Sequence, residues 1–337
     1  MNKNKVKISF VVIGYNNASY LEKCFNSIFF QNSNLNYEVI FVNDGSIDNT
    51  DEIANKFMEL YDNFVYIRQK NSGANAARIR GFIESKGEYI AFIDGDDYID
   101  KDYISYVLDK LKQYDIDILT FGIDIIENDR IINKKINNDK FYQNDMFLNS
   151  ILSNSEEPSL CNKVFKRSIL IESDFKNIST YSMGEDYLTN IKIGLCEPRV
   201  FVSNKCLYNY VVRKDSMTHR PSEKYKELIL GAKEVESIVK SRYGNSKDDL
   251  INFRYFYLFH YYVVRNKYKY DKIRETIYIE WKKRNCLLNG NKYIEEDIKE
   301  CSFLEKKYIY IYNNSKVIGC FFNKLIFWFF KLIRRGE

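Results

Sequence analysis

The chain has 337 residues, 45% of them hydrophobic and 16% aromatic, with only three prolines; that is enough apolar material for two packed domains and too little proline for extended disorder. Its 51 basic and 46 acidic residues leave a net charge of +5, too slight a bias to point to nucleic acid as a partner. Two histidines, His219 and His260, exclude a histidine-rich zinc site and leave few candidates for a Ser-His-Asp triad, and seven cysteines without a C-x-x-C pair read as reduced thiols of a cytosolic compartment.

The first third alternates strand and helix patterns. VKISFVVI (6–13) is a β-branched run expected for a strand buried on both faces, and it breaks at Gly14, too soon for a signal peptide. Residues 18–31 place Leu21, Phe25, Ile28 and Phe29 at helical spacing behind Ser19 as a candidate cap. A strand follows over 37–43, a helix with an acidic first turn over 48–61, a strand over 63–69 and a helix over 74–86. A fourth strand over 88–94 leads to a helix over 100–113 and a strand over 115–126. This alternation predicts right-handed crossovers and a mostly parallel sheet flanked by helices, with ligands beyond the carboxyl ends of the strands. The polar, Asn/Lys-rich stretch 127–150 reads as a loop or edge hairpin, 158–173 and 184–195 as short helices, and RVFVS with CLYNYVVR (206–213) as strands. Beyond 220 the pattern is helical throughout, so the domains are expected to be 1–218 and 219–337.

Three carboxylates, Asp94, Asp96 and Asp97, gather where the fourth strand stops, although like charges repel and are costly where partly buried. A D-x-D at a strand end presents two carboxylates to one divalent ion, and hard oxygen ligands suit Mg2+ or Mn2+, whose remaining ligands come from phosphate and water. A turn or helix cap is the plainer reading. An EF-hand is excluded: counted from Asp94, the sixth position is Ile99 where Gly is needed, and the twelfth is Ser105 where Glu is needed. FVNDGSIDNT (41–50) reads as a strand-to-helix loop capped by Asp48 or Asn49, with Asp44 at the rim placed to accept hydrogen bonds from a nucleobase. KNSGANAARIRG (70–81) carries Arg78 and Arg80, either a solvated face or a site for phosphate or base. In MGEDYLTN (183–190), Glu185 and Asp186 open a helix, where acidic residues often just complement the dipole. LYNYVVRKDSMTH (207–219) offers Arg213, Ser216 and Thr218 as donors for a diphosphate.

Together and in this order, these segments resemble the family 2 glycosyltransferases of the GT-A fold, over residues 7–218. The resemblance implies a Rossmann-like sheet followed by a helical C-terminal region. It also implies inverting transfer of a sugar from a nucleotide-sugar, expected to be a UDP-sugar, to a hydroxyl of a surface polysaccharide or glycoconjugate. It places Tyr15, Asn16 and Asp44 on the nucleotide, joined by Asn71 and Arg78 of an N-x-G-x-x-x-A-R segment, in which Ile79 departs from the family's A-R-N. DGDD would supply Asp94 and Asp96 to Mg2+ or Mn2+, with Asp94 and Gly95 also beside the nucleotide-sugar. CNKVFKR is similar to the family's N-K-L-F/Y segment and puts Asn162 and Lys163 beside the active site. GED makes Asp186 the catalytic base, with Glu185, Arg213 and Ser216 on the donor. Two rivals share such a sheet. A sugar nucleotidyltransferase would carry a Gly-rich, basic loop after the first strand, which VVIGYNNASY lacks, and an inactive nucleotide-sugar-binding scaffold would not need the full carboxylate set.

Residues 317–335 are largely apolar, yet Lys324, Lys331 and Arg335 fall on one helical face with Trp328 nearby, the pattern of a helix lying in a membrane interface. A buried terminal helix or a dimer contact is the alternative. A lipid-linked saccharide acceptor would favour the membrane, so the expectation is a cytoplasmic protein held peripherally at the inner face of the cell membrane.

Overall fold

The computed structural model describes residues 6–31, 36–178, 181–213, 226–265, 271–284 and 290–315. The chain divides into two compact units, 1–220 and 221–337. Ser216, Thr218, His219 and the 317–335 segment lie outside the described residues.

In the first unit, β1 (Ile8–Gly14), α1 (Ala18–Phe29), β2 (Tyr37–Asn43), α2 (Thr50–Leu60), β3 (Phe64–Arg68), α3 (Ala74–Glu84) and β4 (Tyr89–Asp94) follow the alternation read from the sequence. β1 pairs in parallel with β2 on one side and β4 on the other, and β2 pairs in parallel with β3. Every residue of β1 is buried, because helices cover both faces. Ile8, Phe10 and Val12 join Leu21, Phe25 and Ile28 of α1 and Phe57 of α2 in one apolar cluster. At its centre the Phe25 ring lies 5.1, 4.9 and 5.0 Å from the rings of Phe41, Phe57 and Phe64, edge-on to each, a geometry that adds to the roughly 1.5–3 kcal/mol from burying such a side chain. The opposite face, carrying Val11, meets α3 at Gly81, where a Cβ would collide with the Val11 side chain.

The second half of the sheet departs from the sequence reading. After β5 (Tyr98–Ile99) and α4 (Tyr103–Gln113), β6 (Ile118–Glu127) turns through Asn128 and Asp129, both at positive φ, into β7 (Arg130–Lys135), the expected edge hairpin. The rest of 127–150 is not all loop: it contains β8 (Lys140–Tyr142) and the start of α5 (Met146–Leu152). The segment 158–173, expected to be helical, contains strand β9 (Lys163–Lys166), and only α6 (Arg167–Glu172) is helix. β9 runs antiparallel between β4 and β6, with Val164 level with Ala91 and Leu119, and neighbours on both edges complete the backbone hydrogen bonds of a segment too short to show a period of its own. Past a short 3-10 turn (Phe175–Asn177), α7 (Glu185–Gly194) is the expected helix. The two short strands beyond it are one, β10 (Val200–Val211), irregular between Val202 and Tyr208 and parallel to β6. The strand order is β3-β2-β1-β4-β9-β6-β10-β5, with β7 on β6 and β8 on β10. A parallel core is therefore joined through antiparallel β9 to a mixed half.

The second unit is helical among its described residues: α8 (Lys226–Tyr243), α9 (Asp248–Phe259) running into a π-helical stretch (His260–Arg265), α10 (Asp271–Lys283), α11 (Lys292–Glu300) and α12 (Phe303–Asn314). Its core is aromatic. Trp281 stacks on Phe259 at 3.9 Å, and Tyr312 meets Phe259 edge-on. Among the described residues no helix is long and apolar enough to cross a membrane.

Candidate active site

The carboxyl ends of β1 to β4 raise four loops at one rim of the sheet, where such sheets bind ligands. The β1 and β2 loops are tied together: Asn16 at φ 54° donates its N–H to Ser46 Oγ (2.9 Å) and accepts from the Ile47 N–H (2.9 Å) through Oδ1. Asp48 accepts from the Ala18 N–H at 3.0 Å, so α1 is capped from the neighbouring loop and Ser19 lies within the helix. Asp44 is buried and accepts from Gln69 Nε2 (2.8 Å) and the N–H groups of Ser72 (2.9 Å) and Gly73 (2.8 Å). It thus anchors the loop that presents exposed Asn71 and launches α3. Gly45 permits this, since at φ +81° a Cβ would stand 2.8 Å from the Asn71 nitrogen. Tyr15 is about half exposed at the same rim.

The acidic cluster persists because each carboxylate has its own partner. Asp94 accepts from Arg78 Nη2 at 2.9 Å and pairs Cys161 Sγ at 3.3 Å. Asp96 pairs Arg213 Nη2 at 2.9 Å. Asp97 is buried and accepts from Tyr208 Oη (2.6 Å) and the Val211 N–H (2.8 Å). Burial, and then the charges of Asp96 and Asp94, push the Asp97 carboxyl well above the usual carboxylate range. Asp97 is therefore the strap that fastens the β4 loop to β10. Gly95 seats that loop on β1: its N–H donates to the Ile13 carbonyl at 2.7 Å, and a Cβ would lie 2.9 Å from that oxygen.

Arg78 is the hinge of the site. Its nearly buried guanidinium bonds Asp94 with one nitrogen and Asp186 with the other (3.0 Å), with Glu185 3.9 Å away. Asp186 also accepts from the Leu160 N–H at 3.2 Å, and its side chain is 25% exposed. Burial raises the Asp186 carboxyl, with the Arg78 charge opposing. Glu185 is pushed up to about 7 by burial and by Asp186, again against Arg78. Both acids open α7 behind Gly184, which sits at φ 80°.

Lys163 is a correction. Expected on the nucleotide-sugar, it is wholly buried and donates to the carbonyls of Glu157 and Ser159 (both 2.6 Å) and to Asn162 Oδ1 (2.9 Å). Burial lowers its pKa to about 8. All three ammonium hydrogens are engaged, so it clips the 157–160 loop instead of facing a ligand. Asn162 is buried too, donating to the Phe121 carbonyl at 2.9 Å. Cys161 and Tyr208, which touch Asp94, lie inside the segments CNKVFKR and LYNYVVRKDSMTH, yet their residue types alone assign them no role in the site.

The donor set fits a hard divalent cation. Asp94 and Asp96 are carboxylates at the rim, 32% and 18% exposed, while Asp97 is turned away into the fold. Two buried guanidinium nitrogens, Arg78 Nε and Arg213 Nε, lack hydrogen-bond partners among the described residues, donors of the kind an anionic ligand satisfies.

The parallel half of the sheet thus holds, at its rim, paired carboxylates between two arginines, a charge arrangement suited to an anionic ligand. The comparisons give the chain a family. Residues 9–176 match the model of glycosyl transferase family 2, and the chain belongs to that family. It is 32% identical over 236 residues to the glycosyltransferase GlyA of Streptococcus pneumoniae serotype 4, a match over 67% of this chain and 33% of GlyA. It is 30% identical over 229 residues to the poly(ribitol-phosphate) beta-glucosyltransferase of Bacillus spizizenii, covering 65% of this chain and 35% of that protein. The chain thus spans about a third of the length of these relatives. Its fold is shared with S. aureus TarS 1–349 in complex with UDP-GlcNAc, at a TM-score of 0.66 and 21% identity over 83% of this chain and 81% of that one.

Proposed function

We propose that this chain is an inverting glycosyltransferase that moves a sugar from a UDP-sugar to an acceptor hydroxyl in bacterial surface-polysaccharide synthesis. The observation that carries the reading is the Arg78 bridge, which holds the D-x-D aspartate and the helix-opening Asp186 on one guanidinium. Asp186 takes the proton of the acceptor hydroxyl as its oxygen bonds the anomeric carbon. The bond from that carbon to the diphosphate breaks on the opposite face, and its electron pair leaves with the phosphate oxygen. A raised pKa makes Asp186 a better base than an ordinary aspartate. Arg213 balances charge on the departing diphosphate. Mg2+ or Mn2+ bound by Asp94 and Asp96 would supply further charge neutralisation there. The UDP-GlcNAc complex of TarS supports the donor class, and the ribitol-phosphate polymer named for the Bacillus relative supports a polymer acceptor. The four basic residues among the apolar ones of 317–335 support peripheral contact with an anionic membrane.

Turnover of UDP-sugars and calorimetric UDP binding test this. Asp186→Asn keeps the shape but cannot take a proton, so transfer should fall on the order of 10²–10⁴-fold while UDP affinity stays within a few-fold. EDTA should weaken UDP binding in the parent and not in Asp96→Ala. Near-normal turnover by Asp186→Asn would overturn the assignment of the base, and UDP binding indifferent to EDTA would overturn the metal.

A further inference from the structure

The second unit holds a cluster with no part in the chemistry above. His260 begins the π-helical stretch after α9, Asp297 lies in α11, Cys301 ends that helix, and Glu305 is in the first turn of α12. His260 Nδ1 is 2.6 Å from Asp297 Oδ2, and His260 Nε2 is 3.4 Å from Cys301 Sγ. With the ring proton on Nδ1 toward the carboxylate, Nε2 presents its lone pair toward the sulfur. Glu305 serves the α12 capping box with one oxygen, Oε2 accepting from the Ser302 N–H at 2.8 Å, and its other oxygen lies 3.9 Å from His260 Nε2. Ligand atoms of His260, Asp297 and Cys301 all lie within 4.8 Å of one another.

We propose that this cluster is a zinc site, with His260 Nε2 and Cys301 Sγ as ligands, Asp297 orienting the imidazole through Nδ1–H and water completing the coordination. Zn–S and Zn–N bonds of about 2.3 and 2.05 Å meeting at the tetrahedral angle set the two atoms about 3.5 Å apart, the separation seen between Cys301 and His260. A carboxylate on the far nitrogen is the usual support of a zinc-bound histidine. The donor set selects the metal: thiolate with imidazole suits zinc and disfavours Mg2+ and Mn2+. Cys301 is only 6% exposed, accessible to a bare ion and not to a bulky electrophile. Binding converts the thiol to a zinc-bound thiolate and releases one proton to solvent. The ion would fasten the π-helical stretch to the end of α11, and π-helical segments recur at functional sites. The scarcity of histidine excludes only a site built from several of them.

The test uses the full chain, stripped with a chelator and titrated with Co2+ as a spectroscopic stand-in, then with Zn2+. One equivalent of Co2+ should give intense tetrahedral d–d absorption and a thiolate-to-cobalt charge-transfer band, both lost on adding Zn2+ and untouched by Mg2+. Cys301→Ser should abolish the charge-transfer band. Asp297→Asn should keep it while weakening Zn2+ binding about 10–100-fold. Zn2+ should also raise the unfolding temperature of the parent. A folded parent chain that shows no charge-transfer band overturns the proposal, and so does a band that survives in Cys301→Ser. If Cys301→Ser does not fold, the parent titration and Asp297→Asn decide. UDP-sugar turnover through Asp186 is read separately, so either reading can fail alone.

Discussion

Glu185 and Asp186 share one cation, Arg78, and that sharing governs how the site responds to pH. The Glu185 carboxyl rises from 4.5 to about 7, by burial first and the Asp186 charge second. A carboxyl that holds its proton more tightly when folded leaves the folded state with more protons than the unfolded one between those values. Stability therefore falls as pH rises through that window, by at most about 1.4 kcal/mol per pH unit for one group. Glu185→Gln should flatten this slope, read by urea unfolding at about pH 5 and about pH 7.5. It also removes a negative charge beside Asp186, so the acid limb of kcat/KM should move to lower pH. An unchanged limb would mean that the two acids do not interact. At this scale much was legible: D-G-D-D, G-E-D and the arginine of A-R announce themselves by residue type. That Arg78 joins Asp94 to Asp186 was not, because only the fold brings α3, β4 and α7 together. Nor could the three adjacent aspartates be told apart, since what separates Asp97 from Asp94 and Asp96 is the Tyr208 hydroxyl on a distant strand.

β9 shows what local pattern cannot carry. The parallel strands β1 to β4 were readable because both faces are buried and their apolar runs are continuous. β9 offers only Val164 and Phe165 between lysines, and its strand identity comes from β4 and β6 on either side. The buried Lys163 at its start looks from sequence like a ligand-binding cation and acts as a clip. Lys163→Met should leave the Glu157 and Ser159 carbonyls and Asn162 Oδ1 short of a donor, costing about 1–3 kcal/mol in urea unfolding. Because the clipped loop supplies the Leu160 N–H to Asp186, kcat should drop with the donor KM nearly constant. A large rise in donor KM without loss of stability would instead restore Lys163 to the nucleotide-sugar.

For the whole molecule, the candidate transfer machinery among the described residues lies within the first unit, whereas the 317–335 segment belongs to the second. The segment carries four basic residues and no acidic ones, and a basic side chain near an anionic bilayer contributes about 1 kcal/mol. If it lies in the interface, the chain should co-sediment with phosphatidylglycerol-containing vesicles, more weakly as salt rises and hardly at all with phosphatidylcholine alone. Deleting 317–337 should lower vesicle affinity by up to about 10³-fold and leave UDP binding unchanged, since Asp44, Arg78, Asp94 and Arg213 all lie in the first unit. A shortened chain that loses helical signal and precipitates would show the segment to be core. The double change Lys324→Gln with Lys331→Gln separates the two cases without removing apolar mass: it should reduce binding to anionic vesicles while the unfolding midpoint holds. Vesicle binding that is indifferent to those two charges and to salt would end the interfacial reading.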